Sequence, residues 1–207
     1  MISYTITVCN EHSELLKLLY YLKDKITEDD EVVIQMDEHN VTDEVRNVIE
    51  NNRHLIKNLT VTMFPLDKDF SKFKNNLKNH CKKDWIFNID ADEMPSQFLI
   101  NNIHQILKDN SDVEMMLVPR WNIVDGITDE HIVKWNWKHD EFGRINWPDY
   151  QTRIYRNTEN IVWKNKVHER LSGYKSHSSL PAEDEFCLYH VKSIDRQEKQ
   201  NEFYSEI

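Results

Sequence analysis

Three carboxylates fall within four residues of the stretch WIFNIDADEMPS, which runs from Trp85 to Ser96: Asp90, Asp92 and Glu93. An apolar run, Trp85 to Ile89, leads straight into them. Asp90 and Asp92 are separated by one small residue, Ala91. In an extended or turning segment the side chains at i and i+2 point the same way, so this pair repels unless a cation joins it. Oxygen-only ligands suit Mg²⁺ or Mn²⁺, ions that keep some water and hold substrate phosphates. The bland reading is that Asp92 caps the following helix. Placement at the end of a buried strand, level with other polar strand ends, favours the cation.

Those strand ends come from an alternating pattern. Ile2 to Val8 is β-branched and aromatic and reads as a strand, followed by a polar turn from Asn10 to His12. Ser13 is placed to cap a helix carrying Leu15, Leu16, Leu18, Leu19 and Leu22 on one broad face. Glu31 to Met36 is a second strand ending at Asp37, and Thr42 opens a second helix with Val45, Val48 and Ile49 on one side. Leu59 to Phe64 is a third strand, Phe70 to Cys81 a polar helix, and Trp85 to Ile89 the fourth strand. Pro95 and Ser96 open a helix through Leu107, and Glu114 to Val118 is a fifth strand. Alternation of this kind predicts an α/β fold with a mostly parallel sheet covered by helices on both faces. In such sheets ligands bind beyond the carboxyl ends of the strands. Asn10-Glu11, Asp37 and Asp90 all fall there.

After Pro119 the character changes. Trp121, Trp135, Trp137, Trp147 and Trp163 fall among Asp, Glu and His, with no linker and no repeat. The chain of 207 residues therefore reads as one domain. Residues 1–118 carry the alternating pattern, and residues 119–207 read as an extension of the same domain that carries a binding surface. Sugar rings present apolar C–H faces that pack on aromatic planes, so one or two of Trp121, Trp135, Trp137 and Trp147 are candidates to touch a saccharide, with the rest packing.

Composition excludes several functions. A net charge of −10 disfavours nucleic acid or an anionic membrane as the main partner. Three widely spaced cysteines, with neither CxxC nor HExxH, read as reduced thiols in a cytoplasmic protein without structural zinc. No apolar run approaches the roughly 20 residues needed to cross a bilayer. With three glycines, neither GxGxxG nor GxxxxGK[ST] occurs.

The stretch DWIFNIDADE resembles the DxD strand of GT-A glycosyltransferases, especially glycosyltransferase family 2. Other pieces agree in order. ITVCNEH resembles the family's first strand and polar turn, and EVVIQMDEHNVTDEV its second strand. Lys74-Asn75 resembles the [RK]-N pair on the helix before the DxD strand. WPDYQTRIYRN, WKNKVHERL and LYHVKSIDRQEKQNEFY resemble later segments of bacterial lipopolysaccharide-core and phage glycosyltransferases. The resemblance implies a GT-A, Rossmann-like fold. It implies transfer of a sugar from a nucleotide-sugar donor, a UDP-sugar by expectation, to a hydroxyl of a saccharide or other acceptor, with inversion.

It also implies roles. Asp92 is the expected first ligand of Mn²⁺ or Mg²⁺, with Asp90 on the ribose or a metal-bound water and His190 as a further ligand. Cys9, Asn10, Glu11, Asp37, Lys74 and Asn75 are expected around the nucleotide, with Asp37 at the base. An inverting transfer needs a group to take the acceptor's proton. Glu169 sits where the family places its base, where the usual acidic pair is replaced here by His168-Glu169. Asp149 is the rival, with a salt bridge to Arg153 or Arg156 as its structural alternative, and His168 can serve as base, ligand or structural partner.

Two other readings share features. A sugar-nucleotidyltransferase has strand-end carboxylates and a metal, but uses a Gly-rich basic loop after its first strand, which VCNEHSELL lacks. A non-catalytic carbohydrate-binding module of the same fold would keep the scaffold without the chemistry.

Overall fold

The computed structural model describes residues 1–205, with side chains described through residue 202. The strands are β1 (Ile2–Val8), β2 (Glu31–Asp37), β3 (Leu59–Phe64), β4 (Trp85–Asp90), β5 (Glu93–Pro95), β6 (Met115–Asp125), β7 (Tyr150–Arg156), β8 (Val162–Lys164), β9 (Arg170–Ser172), β10 (His177–Ser179) and β11 (Leu188–Ser193). The helices are α1 (His12–Lys23), α2 (Asp43–Asn52), α3 (Phe70–Lys78), α4 (Gln97–Asp109), α5 (Asp129–Lys134) and α6 (Ile194–Ser205).

The main sheet has the order β3-β2-β1-β4-β7-β6-β11-β5, with β10 beside β6. The first four strands are parallel, as alternation with helices requires. β7 runs antiparallel between β4 and β6, and so ties residues from the second half of the chain into the sheet. Only Ala91 and Asp92 lie between β4 and β5, yet β5 pairs antiparallel with β11 at the far end of the order. The sheet must therefore curl until β11 and β5 stand over the carboxyl end of β4.

Alternation along the strands divides the core. Trp85, Phe87 and Ile89 of β4 pack with Leu15, Leu19, Val45, Leu99 and Ile103 of α1, α2 and α4. Ile86 turns the other way and packs with Tyr155, Trp163 and Leu171. On that second face α3 buries Phe73 and Leu77 and adds polar contacts to β2. Gln35 Nε2 donates to the Phe73 carbonyl at 2.6 Å and Asn76 Nδ2 to Gln35 Oε1 at 2.7 Å.

Several boundaries differ from the sequence expectations. α1 starts at His12 with Glu11, not Ser13, in the capping position. Glu11 Oε2 instead accepts the backbone N–H groups of Cys9 and Asn10, so the carboxylate organises the turn before the helix. α3 stops at Lys78 rather than Cys81, and β6 continues from Met115 through Pro119 to Asp125. Pro119 is tolerated there because β7 passes its last pair at Pro119 and β11 takes over from Arg120. Thr42 and Ser96 cap α2 and α4 as expected, accepting from Val45 and Leu99.

Candidate active site

The carboxyl ends of β1, β2 and β4 bring their polar residues to one rim. Thr7 and Asp90 are register partners on β1 and β4, and Thr7 Oγ1 donates to Asp90 Oδ1 at 3.2 Å. Asp90 and Asp92, expected to share one cation, meet different side chains. Asp90 Oδ2 meets Arg153 Nη2 at 2.6 Å, and Asp92 Oδ2 meets His190 Nε2 at 3.2 Å and Arg196 Nη2 at 3.3 Å. Glu93 is fully buried and also takes Arg153, at 2.5 Å, and Arg120, at 3.3 Å.

The electrostatics follow from these pairs. Burial pushes the Asp90 carboxyl up, but the charges of Arg153, Lys74 and Arg120 outweigh it and hold the group far below the usual carboxylate range. Burial also opposes ionisation of Asp92. When the His190 ring carries both protons, its hydrogen bond and charge, with Arg196, overcome both that and the repulsion from Asp90, and Asp92 is lowered too.

His190 lies 98 positions from Asp92 in sequence. It arrives because β11 crosses the curled sheet, where His190 registers with Asn122 of β6 and Glu93 of β5. Its Nδ1 is 2.8 Å from Asn122 Oδ1. Lys192, two residues on and so on the same face, is buried beside Asp92 and donates to Gln200 at 2.7 Å. Burial pushes its ammonium down to about 8. α6 closes this side: Arg196 reaches Glu11 Oε1 at 2.9 Å and Glu14 Oε1 at 3.4 Å as well as Asp92.

A divalent ion would find Asp92 Oδ2 and His190 Nε2 here. Adjacent ligands of an octahedral ion with bonds of about 2.1 Å lie roughly 3 Å apart, close to their 3.2 Å separation. Among the described residues no group of three His, Cys, Asp or Glu is placed to hold a metal. A two-ligand site completed by water and phosphate oxygens fits the donor set, and Asp90 stands outside it on Arg153.

The base candidates separate clearly. Asp149 Oδ2 accepts Arg120 Nε at 2.9 Å, Arg120 Nη2 at 2.7 Å and Asn122 Nδ2 at 2.8 Å, while Oδ1 accepts Gln151 at 2.8 Å. Its structural partner is thus Arg120, not Arg153 or Arg156. Burial opposes its charge, but Arg120 and the amide donors prevail and depress its pKa. A carboxylate holding four donors is a poor proton acceptor. Glu169 is half-buried, and its Oε1 meets Lys74 Nζ at 2.5 Å. Lys74 is itself buried, 4.7 Å over the Trp163 ring.

The loop carrying Glu169 is fixed to α3. Phe70 N donates to Lys166 O at 2.9 Å, and Asn75 exchanges two hydrogen bonds with the Trp163 backbone, at 2.8 and 2.9 Å. Asn75 therefore clamps β8 to α3. His168, exposed and with φ 53°, occupies the left-handed region beside Glu169. Asp37 Oδ1 accepts the N–H groups of His39 and Leu66, and Oδ2 takes Asn40 Nδ2 at 2.7 Å. Cys9 Sγ lies 3.4 Å from Asn40 O, and burial raises its thiol to about 11. The turn holding Cys9, Asn10 and Glu11 thus abuts Asp37.

The family model for glycosyl transferase family 2 matches residues 3–171. The chain belongs to glycosyl transferase family 2. Solved structures agree on the fold. The crystal structure of S. aureus TarS 1-349 superposes with a TM-score of 0.65 at 15% identity, covering 92% of this chain and 60% of that one. Its complex with UDP-GlcNAc gives 0.66 at 16%, covering 92% and 58%, and its complex with UDP gives 0.65 at 16%, covering 96% and 62%. The chain thus spans about 60% of the length of these solved relatives. No curated protein matches it significantly. The curled, mostly parallel sheet with helices is the GT-A fold.

Reasoning from sequence missed Arg120, Asn122, Lys192 and Arg196, and named Arg153 only as a partner for Asp149 rather than for Asp90 and Glu93. Period two was the available signal: Arg120 and Asn122, like His190 and Lys192, alternate with apolar neighbours in strands and so share a face.

Proposed function

We propose that this family member transfers a sugar from a UDP-sugar to a hydroxyl of a saccharide-type acceptor, with inversion, using Mn²⁺ or Mg²⁺. The observation that carries it is the meeting of Asp92 and His190 beside the ends of β1, β2 and β4, in a family 2 chain. Asp92 and His190 would hold the ion, which when bound stabilises charge on the departing diphosphate. Residues 1–118 supply the donor side, with Cys9, Asn10, Glu11 and Asp37 around the nucleotide and Lys74 between it and Glu169. Residues 119–207 supply His190, the base and the acceptor surface.

Glu169 is the proposed base. Lys74 fixes one carboxylate oxygen and leaves the other to take the acceptor's proton as the hydroxyl attacks the anomeric carbon. Arg153 keeps Asp90 ionised and oriented, which supports a ribose contact better than a direct metal bond. On the acceptor side, Trp121 packs with Trp147 and Tyr189 at 6.2 and 5.8 Å, and Arg144 lies 4.4 Å over Trp147. Asp140 and Asp184 already pair with Arg144, so this surface suits a neutral saccharide face rather than an anionic one.

The turn after β1 argues against a nucleotidyltransferase. The Cys9 and Asn10 amides, which a triphosphate loop would expose, point at Glu11. A thermal-shift panel of UDP-, GDP- and CMP-sugars with and without Mn²⁺ tests the reading. Stabilisation by UDP-sugars that depends on Mn²⁺ supports it, and no shift with any of them rejects it. Among the described residues no helix is long and apolar enough to cross a membrane.

A further inference from the structure

We propose that Asn122 is a positioning residue: it sets the tautomer of His190 and so presents the Nε2 lone pair to the cation site, an inference that rests on the metal reading above. An amide has one donating and one accepting end, and Asp149 decides which end faces which way. Asp149 Oδ2 lies 2.8 Å from Asn122 Nδ2 and is gripped by Arg120 at 2.7 and 2.9 Å. An ionised carboxylate only accepts, so the NH₂ end must face it. The carbonyl end then faces His190 Nδ1 at 2.8 Å, and a carbonyl also only accepts. The proton of the neutral ring therefore sits on Nδ1, and Nε2 carries the lone pair.

That lone pair stands 3.2 Å from Asp92 Oδ2. In that neutral state two acceptors at this distance repel, and either a second ring proton on Nε2 or a shared cation relieves them. Without Asn122 the favoured neutral ring is the opposite one, in which Nε2–H donates to Asp92 and both ligand atoms are tied up. The geometry is rigid because Asn122 and His190 are register partners on β6 and β11, and Arg120 stands two residues before Asn122 on the same face. The line Arg120, Asp149, Asn122, His190 thus carries orientation into the site. It also gives Asp149 a use that its four donors deny it as a base.

The test has two readouts that do not require turnover. Side-chain NMR of the metal-free protein, at a pH where the ring is neutral, reports the His190 tautomer. Wild type should show Nδ1–H and Asn122→Leu should show Nε2–H. Mn²⁺ affinity, from the EPR signal of free ion, should fall about 10- to 100-fold in Asn122→Leu, the range seen when a ligand's outer hydrogen bond is lost. The paired exchange Asn122→Asp with Asp149→Asn places a carboxylate against Nδ1 and an amide donor behind it. It should recover affinity to within about threefold of wild type. The proposal is overturned by an Nε2–H ring in wild type, by Mn²⁺ affinity in Asn122→Leu equal to wild type, or by a folded paired exchange that binds no better than Asn122→Leu. If wild type takes no Mn²⁺ at all, the metal reading fails, while the tautomer comparison still decides the role of Asn122.

Discussion

Arg153→Met should be the most damaging single change near the site that touches no expected ligand of the metal directly. Arg153 Nη2 bridges Asp90 at 2.6 Å and Glu93 at 2.5 Å, and its side chain is 4% exposed. Removing it leaves Glu93, at 0% exposure, with Arg120 at 3.3 Å, and leaves Asp90 with Thr7. Breaking a buried pair from one side costs about 3–5 kcal/mol, because a buried charge loses its partner. Asp90 keeps 30% exposure and Arg120 remains beside Glu93, so the lower end, about 3 kcal/mol, applies. For a domain of this size that is a fall in Tm of roughly 6–12 °C. The sign with pH follows from Asp90. In wild type its folded pKa lies below the unfolded value, so its contribution is full at neutral pH and fades only as pH falls through the folded value. Without Arg153 only Lys74 and Arg120 still oppose burial, so the Asp90 pKa rises from its wild-type position and proton uptake relieves the variant as pH falls. Urea melts at pH 7 and pH 5 should show the gap between the proteins narrowing at the lower pH. A loss below about 1 kcal/mol at pH 7, or a gap that widens toward pH 5, would refute the reasoning.

Glu169→Gln should leave UDP and Mn²⁺ binding nearly intact by calorimetry while transfer falls by roughly 10²- to 10⁴-fold. Asp149→Asn with the larger loss of transfer, and Glu169→Gln near wild type, would reassign the base. Gly173 has φ 94°, and a Cβ there would lie 1.9 Å from the Asn160 carbonyl oxygen. Gly173→Ala should therefore disrupt the β8–β9 hairpin and lower Tm, and amide NMR should show Val162 to Ser172 shifting most. Asp37→Ala should weaken UDP binding, and affinity unchanged by calorimetry would move the nucleobase elsewhere.

The first half of the fold was legible because its strands are short apolar runs separated by capped helices, and local pattern decides such elements. The curl was not. β5 is three residues long and β7 joins the sheet from beyond a Trp-rich stretch of irregular backbone, so their partners depend on long-range pairing. The same division holds at the site. Asp90 and Asp92 could be named from their spacing at a strand end, while Glu169 and His190 were named only from the family resemblance. What each does was hidden in partners far away in sequence: Arg153 is 63 residues from Asp90, and Lys74 is 95 from Glu169. From sequence, Asp149 read as a rival base or as the salt-bridge partner of Arg153 or Arg156. Only the fold shows Arg120 and Asn122 pointing at it from β6.

The most direct measurement is release of UDP from a UDP-sugar by wild type and Asp92→Ala, each with Mn²⁺ and with EDTA. Wild type should release UDP only with Mn²⁺, and Asp92→Ala should lose both donor affinity and turnover. Equal release by both proteins, or release undiminished by EDTA, would contradict a metal held by Asp92 and His190 at the end of β4.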